Sequence, residues 1–127
     1  MTDMYVGPER FDGVNKPLQQ PLAVLVDGRT GSAAELAAVV LAEQRGALLV
    51  GEATCGCVVG VRFEYVLPDG GGVRVAETGF VSARGARLEG APTVPMVRVT
   101  PALGDLRGGR DAALDEAYRR LTRADPR

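Results

Sequence analysis

Apolar residues along the chain fall into short uninterrupted runs separated by one longer pattern of helical period. Leu22–Val26 and Ala47–Val50 are continuous apolar runs, and a glycine follows each of them closely. Such runs are typical of parallel strands that are buried on both faces. Between them, apolar residues recur at helical spacing from Ser32 to Arg45, and Gly46 ends the pattern. The order strand, helix, strand predicts a βαβ unit.

The second half of the chain predicts shorter elements. Val58–Leu67 and Val73–Glu77 flank a Pro-Asp-Gly-Gly-Gly stretch, which is typical of a β-hairpin. Phe80–Arg84 indicates one more short strand, and Val94–Val99 an edge strand, because its proline cannot donate to a ladder. Asp111 is a suitable N-cap for a closing helix. We therefore predict an α/β fold with an α+β tendency: a βαβ core, a β-hairpin and a C-terminal helix.

Length and charge narrow the possible functions. The chain has 127 residues, of which 15 are Lys or Arg and 16 are Asp or Glu, so its formal net charge is −1. A net charge this small gives no electrostatic reason to expect a nucleic-acid partner. No apolar run approaches the roughly 18 residues of a membrane span. We divide the chain into a lead-in tail or connector, residues 1–21, and one domain, residues 22–127.

The chain contains no histidine, and Lys16 is its one lysine. A catalytic dyad or triad with a histidine from this chain is therefore excluded, as are zinc sites that need imidazole. Cys55 and Cys57 are separated by one residue, and a disulfide across that spacing closes a tight ring. Two thiolates alone do not complete a zinc site. We expect two free or half-buried thiols, no metal and no cofactor; a redox or metal module at these cysteines is a third, weaker hypothesis.

Ser32 is a candidate functional residue because it follows a strand and a tight turn and begins a helix. Backbone N–H groups at a helix N-terminus can stabilise an oxyanion, so the position suits a nucleophile. The same residues have a simpler interpretation. Ser32 and Glu35 have the spacing of a capping box, in which both side chains only satisfy N–H groups of the first helical turn. The pattern alone favours the capping box.

A resemblance to a known family changes that balance. The stretch PLAVLVDGRTGSAAELAAVVLAEQRGALLVGEATCG resembles the core of the C-terminal processing, or tail-specific, peptidases. These are serine peptidases with a fold related to crotonase. Two later segments, Leu88-Glu89-Gly90 and Gly109-Arg110-Asp111, resemble the family's Ile-Glu-Gly segment and its closing Gly-Arg-Asp helix. The stretch contains two of the family's motifs, Gly-Ser-Ala-Ala-Glu and Val-Gly-Glu-Ala-Thr-Cys-Gly, and these precede the two later segments in the family's order. The resemblance extends from about Pro21 to Leu121.

The resemblance implies a role for four residues. Ser32 occupies the nucleophile position, and the N–H of Ala33 would form part of the oxyanion hole. Cys57 stands 25 positions after Ser32, where the main branch of the family has its general-base lysine. The segment around it is more similar to the tricorn-type branch, which uses a histidine from an earlier part of the chain, helped by a glutamate. Glu89 is the nearest match to that glutamate; its alternative interpretation is a carboxylate of a surface loop.

The family's upstream Asp-Leu-Arg-x-Asn-x-Gly-Gly segment and its PDZ domain have no counterpart in Met1–Pro21. We therefore expect the C-terminal part of a longer peptidase or a short relic of one. The resemblance implies acyl transfer on a peptide or protein C-terminus, without activity in the isolated chain. The alternative is a non-catalytic descendant that binds a peptide or apolar ligand. We also expect a homodimer, because the strand Leu22–Val26 lacks its upstream neighbour. The resemblance suggests the bacterial cell envelope or cytoplasm, and the sequence does not choose between them.

Overall fold

A computed structural model describes residues 19–123. Its centre is a sheet of three parallel strands in the order β1-β2-β5, and the other strands form an antiparallel hairpin. In chain order the elements are β1 (Ala23–Val26), α1 (Ala33–Arg45), β2 (Leu48–Gly51), β3 (Gly60–Val66), β4 (Gly72–Thr78), β5 (Val97–Arg98), α2 (Leu103–Arg107) and α3 (Ala112–Arg123). The mixed α/β fold and the predicted βαβ unit, hairpin and closing helix are confirmed.

The close pairing of β1 with β2 explains why the second strand ends in glycine. Val26 is opposite Gly51 in the parallel register. A Cβ added to Gly51 would lie 2.0 Å from the carbonyl oxygen of Val26, and the φ of Gly51 is 128°. Only glycine fits both the contact and the backbone conformation. The turn that follows β2 is therefore fixed at this point by the packing of one strand on the next.

The helices cover the two faces of the sheet. Ala38 of α1 is buried against Val26 and Leu49. The side chain of Leu25, next to Val26 in β1, lines a cavity together with Ala112 of α3. Because successive side chains of a strand point to opposite faces, α1 and α3 lie on opposite sides of the sheet. This arrangement explains why the strands are continuous apolar runs rather than alternating ones.

The β3–β4 hairpin lies outside this core. Every residue of β4 is exposed, and no residue of β3 whose side chain the structure describes is fully buried. Tyr65 is opposite Val73 in the register, and the Tyr65 hydroxyl donates to the Glu77 carboxylate on the same face. The hairpin is therefore held chiefly by contacts between its own two strands.

Three expectations need correction or limitation. Phe80–Arg84 does not form a strand; it contributes one isolated bridge, from Val81 to Arg87, because Ser82 begins a tight turn there. The edge strand predicted over Val94–Val99 is only the two residues of β5, and α2 was not predicted at all. Most of the predicted lead-in tail, residues 1–18, lies outside the described part of the chain.

Candidate active site

The turn between β1 and α1 is organised by Asp27. Its carboxylate accepts hydrogen bonds from the N–H of Arg29, at 2.9 Å, and from the N–H and hydroxyl of Thr30. These donors, the Arg29 N–H first, hold the pKa of Asp27 below its ordinary value. The ionised carboxylate thus fixes the course of the chain immediately before Ser32.

Ser32 stands directly before the first residue of α1, as predicted, and is exposed. Its φ is 54° and its ψ is −127°, and among the described residues it is the one non-glycine residue with positive φ. Such a strained turn from strand to helix is how a nucleophilic serine is presented at the surface. The Ser32 N–H donates to the carbonyl of Cys57 at 2.8 Å. No described residue accepts the N–H of Ala33, which leaves it available to an oxyanion.

Glu35 is buried, with 1% of its surface exposed, and its carboxylate holds the segment that follows β2. One carboxylate oxygen accepts from the Thr54 hydroxyl and from the Gly56 N–H, the latter at 2.8 Å. The other accepts from the Cys57 N–H at 2.8 Å. A single side chain of α1 therefore sets the conformation of the 54–58 loop, and that loop in turn accepts the Ser32 N–H.

The capping-box interpretation is wrong for Ser32. The side chain of Ser32 makes no capping hydrogen bond, and the Glu35 carboxylate is directed mainly to the 54–58 loop. Burial raises the pKa of Glu35, but the hydrogen bonds from Thr54, Gly56, Cys57 and the Ser32 backbone outweigh it and lower the pKa below its ordinary value. Glu35 is therefore ionised at neutral pH, with its charge balanced by hydrogen-bond donors.

A second segment, residues 88–93, is hydrogen-bonded to the same loop. The Thr54 N–H donates to the Thr93 carbonyl at 3.1 Å, and the Thr93 N–H donates to the Thr54 hydroxyl oxygen at 2.8 Å. Glu89 accepts from the Val58 N–H at 2.6 Å. The structure therefore brings Ser32, Cys57 and Glu89 into one network through the loop backbone. The catalytic roles of these residues stay predictions.

Cys55 and Cys57 are joined by a disulfide, so the expectation of free thiols is wrong. The loop is bent at Gly56, whose φ is 72° and whose added Cβ would lie 2.8 Å from the Pro92 ring. This bend brings the two cysteine Cα atoms to 5.2 Å, within the ordinary range for a disulfide. Cys57 therefore carries no free thiol at the position where the resembling family has its lysine.

Among residues 19–123, no three His, Cys, Asp or Glu side chains lie close enough together to hold an ion. A cavity of about 480 Å³ opens at the carboxyl ends of β1 and β2, lined in part by Asp27, Thr30, Glu52 and Arg110. Within the described part of the chain, no helix has the length and apolar character to cross a membrane.

Comparison with known proteins decides the family. The model of peptidase family S41 matches residues 4–99. The chain belongs to peptidase family S41. It is 37% identical over 93 residues to the chloroplastic carboxyl-terminal-processing peptidase 1 of Arabidopsis thaliana. This alignment covers 72% of the chain and 19% of that protein. The expectation drawn from the resemblance is confirmed at the level of the family.

Two solved structures show the same fold. The photosystem II D1 C-terminal processing protease has a TM-score of 0.59 and 32% identity, over 75% of this chain and 26% of that one. The tricorn protease has a TM-score of 0.71 and 24% identity, over 80% of this chain and 10% of that one. The chain thus spans about a fifth of the length of the curated relative that it matches, and 26% and 10% of the lengths of these two structures.

Sequence reasoning missed the residues that organise the site. Glu35 was assigned to the helix cap, and Thr54 and Thr93 were assigned no role. A signal for Glu35 was present, since it occupies the buried side of a helix between apolar neighbours, where an unpaired carboxylate is costly. Its partners lie 19 to 22 positions away in the sequence, and no local spacing indicates them.

Proposed function

We propose that the chain is the nucleophile-bearing part of a serine-type C-terminal processing peptidase of family S41, with Ser32 as the nucleophile. The observation that carries this proposal is the conformation of Ser32. The residue is exposed and has a positive φ at a helix N-terminus. It is followed by Ala33, whose N–H has no acceptor among the described residues. Ser32 would attack the carbonyl of a peptide or protein substrate near its C-terminus, and the acyl-enzyme would be hydrolysed by water.

We propose that the general base is supplied from outside residues 1–127. Cys57 is in a disulfide, the chain has no histidine, and its one lysine, Lys16, precedes the strand that leads to Ser32. The Glu89 carboxylate already accepts the N–H of Val58. We propose that a histidine supplied by other residues takes the proton of Ser32. We propose that Glu89, placed next to Cys57 by its bond to Val58, orients that base. The isolated chain is then expected to be inactive.

A fluorophosphonate probe tests this proposal, because it labels only activated serines. The gene product that contains this chain is treated with the probe and analysed by peptide mass spectrometry. We expect labelling at Ser32, its loss in Ser32→Ala, and full retention in Ser82→Ala. Ser82 is the matched control because the chain contains no other serine besides Ser32. Absence of Ser32 labelling in a folded gene product would contradict the proposal.

The second candidate is a non-catalytic descendant that binds a peptide or apolar ligand. The disulfide at Cys57 favours it, because the residue at the position of the main-branch lysine then has no free group that could accept a proton. A cavity of about 310 Å³ between α1 and the 82–93 segment, lined by Val39, Leu49 and Leu88 among others, would accept an apolar group. The two candidates are separated by the probe: binding of a C-terminal peptide without labelling of Ser32 supports the second.

We further propose that the chain forms a homodimer. Within the described residues β1 pairs only with β2, so its other edge has no strand beside it, and Leu25 is 40% exposed. The hairpin also presents apolar side chains on one face, among them Tyr65, Val73 and Val75. A two-stranded hairpin is marginal by itself, and an exposed apolar face of this kind is typical of a surface that packs on another copy.

Sedimentation velocity at micromolar concentration tests the dimer. If the hairpin face is the interface, Val75→Lys shifts the chain to monomer, whereas Ala76→Lys does not. Successive β4 side chains point to opposite faces, so both variants add the same charge and only one adds it to the apolar face. A monomer in the unsubstituted chain would contradict the proposal, and a dimer unaffected by both variants would move the interface to β1.

A further inference from the structure

The Cys55–Cys57 disulfide occupies the loop on which the conformation of Ser32 depends. The backbone of these two cysteines takes part in three hydrogen bonds. The Cys55 N–H donates to the Thr30 carbonyl, and the Cys57 N–H donates to the Glu35 carboxylate. The Cys57 carbonyl accepts from the Ser32 N–H. A change in this pair would therefore reach the turn before Ser32, its own N–H and the buried carboxylate at once.

The side chains of the pair also lie close to that turn. A Cβ added to Gly31 would lie 3.6 Å from the Cβ of Cys55 and 4.0 Å from that of Cys57. Gly31 immediately precedes Ser32, so the disulfide lies beside the backbone that presents the serine. Both cysteine residues are exposed. An exposed disulfide is accessible to thiolate attack, and such disulfides are the labile and regulatory ones.

We propose that Cys55 and Cys57 form a thiol–disulfide exchange site whose oxidation state controls the order of the turn that carries Ser32. The reactant supplies two thiols, either both on one dithiol or one on each of two glutathione molecules. Its thiolate attacks one cysteine sulfur, forms a mixed disulfide and releases the other cysteine as a thiolate. The second thiol of the reactant then displaces the remaining cysteine. Two electrons pass to the pair, the reactant leaves as its own disulfide, and its two protons end on Cys55 and Cys57.

The disulfide form is the ordered one. Closing a ring across one residue restricts the 54–58 loop to conformations in which the N–H groups of Gly56 and Cys57 can both reach Glu35. The reduced loop keeps these hydrogen bonds but opens more often, because the chain-entropy cost of closing even a very short ring corresponds to roughly ten-fold in an equilibrium constant. The Ser32 N–H, bound to the Cys57 carbonyl, then exchanges with solvent more readily.

Thiol counting and amide hydrogen exchange test the proposal together. The 127-residue chain is equilibrated in glutathione buffers of stepped reduced-to-oxidised ratio, its free thiols are alkylated, and their number is read from the intact mass. We expect a reversible change from no free thiol to two. In dithiothreitol we expect amide exchange of the Ser32 segment to accelerate by roughly ten-fold, while exchange in α3 stays unchanged.

The matched control is the double variant Cys55→Ser with Cys57→Ser, whose exchange at Ser32 is expected to equal that of the reduced chain in every buffer. If this variant does not fold, the reduced chain with both thiols alkylated takes its place. A pair that stays oxidised or stays reduced throughout the series overturns the proposal. So does a pair that titrates while exchange at Ser32 remains constant.

This inference relies on the proposed function only for its catalytic consequence, which is faster fluorophosphonate labelling of Ser32 in the oxidised gene product. The two can fail separately. A redox-dependent exchange rate at Ser32 without labelling in either state contradicts the proposed peptidase and leaves the exchange site standing. Labelling at Ser32 in both oxidation states, together with an amide exchange rate at Ser32 that does not depend on the thiol count, contradicts the exchange site and leaves the proposed peptidase standing.

Discussion

The 54–58 loop and the β3–β4 hairpin are neighbours in sequence but are stabilised in opposite ways. The loop has almost no regular structure, yet Thr54, Gly56 and Val58 are buried and Glu35 binds its polar groups. The hairpin has two seven-residue antiparallel strands, with register irregularities between Gly60 and Glu64, yet every residue of β4 is exposed. Regular secondary structure and rigidity are therefore separate properties here. The irregular loop is held by tertiary contacts, whereas the hairpin needs another surface to become equally rigid.

The test with the largest expected effect compares one glycine of the 54–58 loop with one glycine of the hairpin. Gly56→Ala places a Cβ 2.8 Å from the Pro92 ring and forces an unfavourable φ, so we expect a loss of about 4 kcal/mol in the free energy of unfolding, enough to prevent folding of a marginal domain. Gly79→Ala, at the end of the hairpin, meets no atom within 4 Å and should change stability by less than about 0.5 kcal/mol. Urea denaturation followed by circular dichroism measures both. Equal effects at the two positions would contradict the difference.

Two glutamates provide the next comparison. Glu35→Ala leaves a buried hydroxyl and two N–H groups without an acceptor, and we expect it to cost about 3 kcal/mol. Glu64→Ala removes a half-exposed ion pair with Arg74 on the hairpin and should cost about 0.5 kcal/mol or less. The same denaturation experiment gives both values. A small effect at Glu35 would mean that the 54–58 loop is held by something other than this carboxylate.

We expect the backbone conformation of Ser32 to lower the free energy of unfolding of the chain. Because its φ is positive, Ser32→Gly is expected to stabilise the chain by about 1 kcal/mol, while Ser32→Ala keeps the strained backbone and gains nothing. Thermal unfolding of the two variants side by side measures the difference. If glycine and alanine behave alike, the backbone of Ser32 is not strained.

The smallest expected effect is the contribution of Glu35 to the pH dependence of the free energy of unfolding. A carboxyl whose pKa is lowered on folding stabilises the folded state above its unfolded value of about 4.5, and this contribution is lost as the pH falls toward the lower folded value. Asp27 and Glu116 also have lowered pKa values, so the informative quantity is a difference. Between pH 6 and pH 3, urea denaturation should show that Glu35→Gln loses less stability than the unsubstituted chain.

The parts predicted correctly from the sequence are those whose signal is periodic and local. The apolar run over Leu22–Val26 and the helical spacing from Ser32 to Arg45 each depend on neighbours within a few residues, and both predicted elements are present. α2 was missed because its five residues are too few to show a period.

The arrangement of the site could not be predicted in the same way. It depends on Glu35 reaching a loop about 20 residues away and on Thr54 meeting Thr93. The disulfide was missed because an extended Cys-x-Cys segment holds its Cα atoms too far apart, and only the bend at Gly56 shortens that distance. The position of Ser32 at the start of α1 followed from the local pattern of strand, turn and helix, whereas the roles proposed for Ser32 and Cys57 came from the family resemblance.

The bonds that join Thr54 to Thr93, Gly56 to Gly90 and Val58 to Glu89 form a closed base from which the chain between them projects. These hydrogen bonds therefore offset the entropic cost of bringing the two ends of the projecting segment together. Lengthening the projecting segment costs little, since doubling a flexible loop adds only about 0.6 kcal/mol. Shortening or extending the β3–β4 hairpin is therefore expected to cost little in chain entropy, and the hydrogen bonds that hold the 54–58 loop beside Ser32 lie outside it.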